Sequence, residues 1–262
     1  MGSLAPTLNR LRQTLAGIDP SLKPALPGGI REVGFAAGID AALGGGLTCG
    51  ALHELAPAAP VHLAAASGFA MALAALSGRR RGATLWIATD FAACEAGGPY
   101  GPGLDLFGLA SARLVVLRVP RATDVLWAME EALRCGALAS VVAELTGEGA
   151  DADLTATRRL ALAAREGKGS CLGLLLRQAF PSMPSAAATR WRIAAAPSEP
   201  DRFGGLGRAA FDLALVKNRR GPCSRWTVTW DHHEHVFHPA IPVGVAQTAP
   251  DRSDRAPLER AG

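Results

Sequence analysis

The chain has 262 residues, 49% of them hydrophobic and 19% charged, which is enough apolar material to bury a core and suits one α/β domain with extensions. The formal charge of +4 is modest, and the five cysteines (Cys49, Cys94, Cys135, Cys171 and Cys223) contain no CxxC pair. That spacing argues against a zinc ribbon, a redox motif or a disulfide framework and leaves reduced core or surface thiols. At the N-terminus Leu8, Leu11 and Leu15 form a short amphipathic pattern around Arg10 and Arg12, with no continuous apolar run behind them. This reads as a helix rather than a secretory signal, and the protein is expected in the cytoplasm. Pro and Gly crowd residues 20–29, so residues 1–29 are expected to be a helix and linker ahead of a main domain at 30–240.

Within that domain Gly44-Gly45-Gly46 predicts a tight loop before the first core strand. Residues 51–56 (ALHELA), 83–89 (ATLWIAT), 112–119 (ARLVVLRV), 139–145 (ASVVAEL) and 171–177 (CLGLLLR) are apolar runs of strand length. Their near-continuous hydrophobicity suits strands covered on both faces. Residues 61–77, 122–136 (Val125, Met129 and Leu133 four apart) and 153–167 have helical period. The first of these is largely alanine and holds His62, Ser67 and Gly68, short of the roughly 18 strongly apolar residues of a membrane span. It is expected to be a buried helix, and the cations Arg79, Arg80 and Arg81 behind it suit a helix C-terminus. Alternation of strand and helix predicts a mostly parallel sheet wound by helices on both faces.

Beyond Arg177 the pattern changes. Residues 189–196 (TRWRIAAA), 209–217 (AAFDLALVK), 225–231 (RWTVTWD) and 236–237 alternate in polarity, which predicts an antiparallel C-terminal extension on the sheet edge. Residues 241–262, rich in Pro, Ala, Asp and Arg, show no core pattern and are expected to be a disordered tail. From Arg177 to Arg225 nine basic residues face three acidic ones, a balance of +6, so attraction for a polyanion is concentrated there.

The order of elements carries a resemblance. GIDAALGGGL (38–47), the GALHEL strand, a helix, WIATD, a further strand and helix, and GALASVVAEL follow one another as in RecA-type recombinases. Adding DLTATRRLALAARE (153–166), LGLLLRQ (172–178), SAAATRWRI (185–193) and KNRRGPCSRWTVTWD (217–231) makes residues 30–238 resemble the ImuA family. ImuA proteins are RecA-like accessory factors of a bacterial damage-inducible mutagenesis cassette and work with ImuB and an error-prone DNA polymerase. The resemblance implies a RecA-like α/β fold, a role in SOS-induced translesion synthesis, and ImuB, RecA and a polymerase complex as partners near the nucleoid.

The phosphate site of that fold is altered. A working P-loop, G-x-x-x-x-G-K-[ST], surrounds phosphates with backbone N–H groups and reaches them with lysine. Residues 56–72 here read APAAPVHLAAASGFAMA, and no lysine lies between Lys23 and Lys168. Pro57 and Pro60 further remove backbone donors. Asp90 and Glu144 stand where the resemblance puts the acids of the site, and they read as vestigial polar residues at strand exits. The expectation is a non-catalytic adaptor that needs no nucleotide or other cofactor. Two alternatives are a divergent RecA-like ATPase, with Arg79–Arg81 replacing the lysine, and a cell-division inhibitor resembling SulA.

Two clusters remain. Lys217, Asn218, Arg219 and Arg220, with Arg225, could meet DNA phosphate or an acidic partner, or form a solvated turn. Trp191, Trp226 and Trp230 lie on alternating strands, where tryptophan serves core or interface more than base stacking. His232, His233, His235 and His238, with Asp231 and Glu234, lack the HExxH spacing. They read as the polar turn of a hairpin, with no metal expected.

Overall fold

The triple glycine shapes the entry to the domain. In the computed structural model, which describes residues 31–78, 82–145, 152–167, 171–180, 184–201, 203, 205 and 207–240, strand β1 (Glu32–Val33) is followed by helix α1 (Ala37–Leu43) and strand β2 (Leu47–Thr48). Gly44, at φ 74°, caps α1, and Gly46, at φ 134°, would carry a Cβ only 2.6 Å from the Val33 carbonyl oxygen. A side chain at either position meets strain, which explains why three glycines stand together. β1 and β2 pair antiparallel as a small separate ribbon.

The chain then builds the main sheet. β3 (Ala51–Pro57) leads through a 3-10 turn at Pro60–His62 into α2 (Leu63–Gly78), and β4 (Ala83–Thr89) leads into α3 (Asp90–Ala96) and α4 (Gly101–Leu106). Next come β5 (Leu114–Val119), α5 (Ala122–Leu133), β6 (Leu138–Leu145), α6 (Leu154–Glu166) and β7 (Leu172–Arg177). The last four strands are β8 (Thr189–Ala195), β9 (Ala210–Asn218), β10 (Arg225–Asp231) and β11 (Val236–Pro239). These nine strands order as β11-β10-β9-β8-β3-β7-β6-β4-β5, a RecA-like α/β arrangement with its antiparallel strands at one end. The expected wound parallel sheet with an antiparallel extension is therefore present.

One strand departs from expectation. Its pattern groups β8 with the antiparallel strands, yet it pairs parallel with β3, from His53↔Thr189 to Pro57↔Ile193, and only its other side pairs antiparallel with β9. Alternating polarity reports that one face is covered and one is open; it carries no information on direction. Direction shows only in the register, where Thr189 at the start of β8 stands level with His53 near the start of β3, so both strands run from the amino end of the sheet. α1, α3 and α4, all shorter than eight residues, are also absent from the sequence expectations, because such pieces are too short to show a period.

Two cores lie on opposite faces of the sheet. One packs α2 against an aromatic cluster of Phe35, Phe69, Trp191, Phe211, Trp230 and Phe237, with Trp230 and Phe237 ring centroids 4.7 Å apart. The other packs α5 and α6 on Leu52, Leu85, Ile87, Val141 and Leu175. Trp191 and Trp230 are thus core residues, and Trp226 packs partly buried beside Trp191. By length and composition the stretch Pro60–Gly78 could cross a membrane, but ten residues of α2 are buried against the sheet, as expected of a core helix. The predicted helix around Leu8, Leu11 and Leu15 and the tail 241–262 lie outside the described residues.

Candidate functional site

In a parallel sheet wound by helices, ligands meet the carboxyl edges of the strands. At that edge β3 turns into α2, where a phosphate cradle would need several adjacent free N–H groups. Pro57 and Pro60 have none, and the Ala58 N–H donates to the Ile193 carbonyl at 2.7 Å. The His62 N–H donates to Ala59, and its imidazole Nδ1 accepts from the Ala195 N–H at 3.2 Å. No two consecutive N–H groups therefore remain to converge on an anion.

Asp90 and Glu144 follow β4 and end β6, neighbouring parallel strands. Asp90 is exposed in the first turn of α3, where a carboxylate suits the helix dipole, while the Thr89 hydroxyl caps that helix by accepting the Ala92 N–H at 3.0 Å. Glu144 is 7% exposed and accepts a 3.3 Å bond from Trp86 Nε1. Burial pushes its carboxyl above the usual carboxylate range, and the Trp86 bond only partly opposes this. Glu144 lines a cavity of about 410 Å³ between the start of α2 and the α3–α4 segment.

The basic segment divides in use. Lys217 donates to the Ser185 carbonyl at 2.5 Å, and burial holds its ammonium below the usual lysine range, with Arg219 and Arg190 adding to the effect. Asn218 donates to the Ala42 carbonyl at 3.1 Å and accepts the Arg220 N–H at 3.0 Å. Arg220 reaches Glu32 at 2.5 Å, the Thr48 hydroxyl at 2.8 Å and the Gly44 carbonyl at 3.3 Å. Lys217 thus ties β9 to the segment before β8, Asn218 ties it to α1, and Arg220 ties it to the glycine loop and the β1–β2 ribbon, while Arg219 and Arg225 stay exposed. Arg220→Ala is accordingly expected to lower stability by about 1 kcal/mol in urea unfolding, since a multiply bonded but half-exposed arginine is removed. Arg79–Arg81 lie outside the described residues.

Exposed charge gathers elsewhere. On the face of β8–β10 away from α2, Arg192 and Arg225 flank Ala214 in one cross-strand row, and all three strands carry exposed residues there. Arg192 belongs to the +6 balance, but nothing local in the sequence singles it out, because only strand register aligns it with Arg225.

Sequence reasoning also passes over a buried polar cluster in the middle of the sheet. Glu54, fully buried on β3, accepts from Arg177 at 3.3 Å and from Arg190 at 2.5 Å. On the opposite face of β3, His53 Nε2 donates to the Thr48 carbonyl at 2.9 Å, and Nδ1 lies 2.8 Å from the Thr189 hydroxyl. That hydroxyl also accepts Trp191 Nε1–H at 2.8 Å, so the neutral imidazole closes a complete donor–acceptor chain. The available signal is the pair His53-Glu54 inside an otherwise apolar central run.

The histidine-rich segment forms the expected hairpin, β10 pairing with β11. Side-chain ligand atoms of Asp231, Glu234 and His238 lie within 4.8 Å of one another. The Asp231 carboxylate, however, already accepts the N–H groups of His233 and Glu234 and pairs with Arg208 at 2.8 Å. Those backbone bonds hold it below the usual carboxylate range, so it acts as the clasp of the turn.

No protein-family model matches the chain. Among curated proteins it is 32% identical over 210 residues to Protein ImuA of Caulobacter vibrioides strain NA1000 / CB15N, covering 75% of this chain and 81% of the relative. The match to Protein ImuA of Caulobacter vibrioides strain ATCC 19089 / CIP 103742 / CB 15 has the same identity and coverage.

Proposed function

The chain belongs to the ImuA family, which places it in the ImuA/ImuB damage-inducible mutagenesis system, and from that premise we propose that it works there as a non-catalytic RecA-like adaptor. In this reading it binds ImuB, and through it an error-prone polymerase, in the cytoplasm and at the nucleoid after damage, and it contacts RecA with its RecA-like surface. The observation that carries the reading is the β3–α2 junction, where prolines and internally used N–H groups stand in place of a phosphate cradle and no lysine follows. Buried Glu144 supports it, since an acid beside phosphates needs a compensating cation. Titration with Mg-ATP is expected to show no saturable binding into the millimolar range; saturable micromolar binding would return the chain to the ATPases. Pull-down with purified ImuB and with RecA filaments tests the adaptor role, and failure to retain either sinks it.

A second interaction, with DNA, is favoured by the Arg192–Ala214–Arg225 row. A small residue between two exposed arginines leaves a flat cationic surface that a strand backbone can approach. Reversing both charges (Arg192→Glu with Arg225→Glu) is expected to weaken single-stranded DNA binding. The slope of log affinity against log salt should flatten by roughly 0.7 for each phosphate that the variant no longer neutralises. An unchanged slope, measured by fluorescence anisotropy, removes this face from consideration.

A further inference from the structure

The cavity at the carboxyl edge of β6 contains an acid whose hydrogen-bonding capacity the described residues do not fill. Glu144 is more than nine-tenths buried, and its one hydrogen bond among them is the 3.3 Å approach of one carboxylate oxygen to Trp86. A carboxylate has about four acceptor positions, and leaving them unfilled away from water is costly. The cavity of about 410 Å³ into which it faces has apolar walls, including Leu63, Met71 and Phe107, and Gly68, Gly98 and Gly103 keep it open. Among the described residues no lysine, arginine or histidine lines it.

Its surroundings are equally distinctive. Tyr100, on the cavity wall, is 72% exposed. Val61, two residues before Leu63, and Phe91, beside Asp90, are exposed large apolar side chains at the same carboxyl edge. Exposed apolar groups around a concavity mark a surface that another protein covers, whereas a small metabolite inside the cavity would leave them in water. Asp90, Glu95 and Glu144 are the acids near this edge, and exposed Arg118 of β5 brings its guanidinium close to Gly98 on the cavity wall without lining the cavity itself.

We propose that this cavity is a docking site for an arginine side chain of a protein partner, flanked in that partner by apolar residues. The guanidinium supplies donors to Glu144, its methylene stem lies along the apolar wall, and the flanking residues cover Tyr100, Val61 and Phe91. Arginine fits better than lysine because its planar fork can give two parallel bonds to one carboxylate and stacks on aromatic rings. The inference rests on the adaptor reading and names the partner chemistry the adaptor would recognise.

The probe is the tripeptide acetyl-Leu-Arg-Leu-amide, titrated into the full chain with methyl NMR detection at Met71 and Leu63. Saturable shifts at these methyls are expected at millimolar peptide, with the citrulline analogue, which is uncharged and nearly isosteric, binding at least tenfold more weakly. Glu144→Gln is expected to abolish that preference; because the citrulline comparison uses the wild-type chain, a folding defect in the variant leaves the test intact. Equal binding of the citrulline peptide overturns the proposal, as does an arginine preference that survives in a folded Glu144→Gln. Benzylamine binding as tightly as the tripeptide would point to a small-amine site, and Mg-ATP saturating the same methyls to a nucleotide site; either result also overturns it. The titration contains no ImuB, so its failure is distinct from failure of the adaptor reading.

Discussion

Replacing Glu54 by alanine is expected to cost about 3–5 kcal/mol of folding stability, the penalty that follows removal of one partner from a buried ion pair. For a chain of this size that corresponds to a fall in Tm of roughly 10 °C. Glu54 has no exposure and Arg177 is 3% exposed, so neither charge can return to water when the other is removed. Arg177 also donates to the Ala152 carbonyl at 3.2 Å, fastening the approach to α6 to the sheet. Arg190 accompanies it at 2.5 Å from Glu54, and Lys217, which also feels the Glu54 charge, stands beyond. Without the acid, these cations repel one another in a poorly solvated interior. Glu54→Gln keeps an acceptor oxygen and the shape, so its effect should be smaller. Replacing all three together (Glu54→Leu, Arg177→Met and Arg190→Leu) should recover most of the stability, because well-packed apolar groups often match a buried ion network. Thermal unfolding monitored by circular dichroism separates these outcomes, and a shift below roughly 2 °C for Glu54→Ala would falsify the account.

Acid should weaken the fold through His53. Burial drives its imidazole from the ordinary 6.5 down to about 4, and the bond to Thr48 only partly offsets this. Between these values the unfolded chain binds a proton that the folded chain refuses. Stability is therefore fully present above about pH 6.5 and falls as pH drops, by up to about 1.4 kcal/mol per unit and about 3 kcal/mol in total by about pH 4. Glu144 works in the opposite direction, since its raised carboxyl takes up a proton more readily folded than unfolded. The informative quantity is thus the difference between wild type and His53→Gln in urea unfolding at pH 7, 6, 5 and 4.5. The variant should be weaker at pH 7, having given up part of the Trp191–Thr189–His53–Thr48 chain, and should approach wild type as pH falls. A constant difference across the series would mean that His53 does not titrate in this window.

Much of the sheet is legible without the structure. The runs at 83–89 and 225–231 match β4 and β10 residue for residue, and the other strands shift by one or two positions at their ends. Continuous apolar runs follow from burial on two faces, and burial is what composition reports most directly. The departure from the P-loop pattern is equally legible, because a missing lysine and two prolines are covalent facts. Glu144 is visible as a polar residue at a strand end, but the cavity beside it is not, since its walls come from α2, the α3–α4 segment and β6.

The layered α/β architecture, the ImuA resemblance and the departure from the P-loop residue pattern are all written in local composition and order. Tertiary structure alone decided the parallel direction of β8, the buried Glu54–Arg177–Arg190 cluster, and the use of Arg220 as an internal tie rather than a free cation. The physical reason is that strand direction and the use of a charge are both set by the partner met in space. For the three arginines, those partners lie 123, 136 and 188 residues away along the chain, beyond the reach of any local pattern.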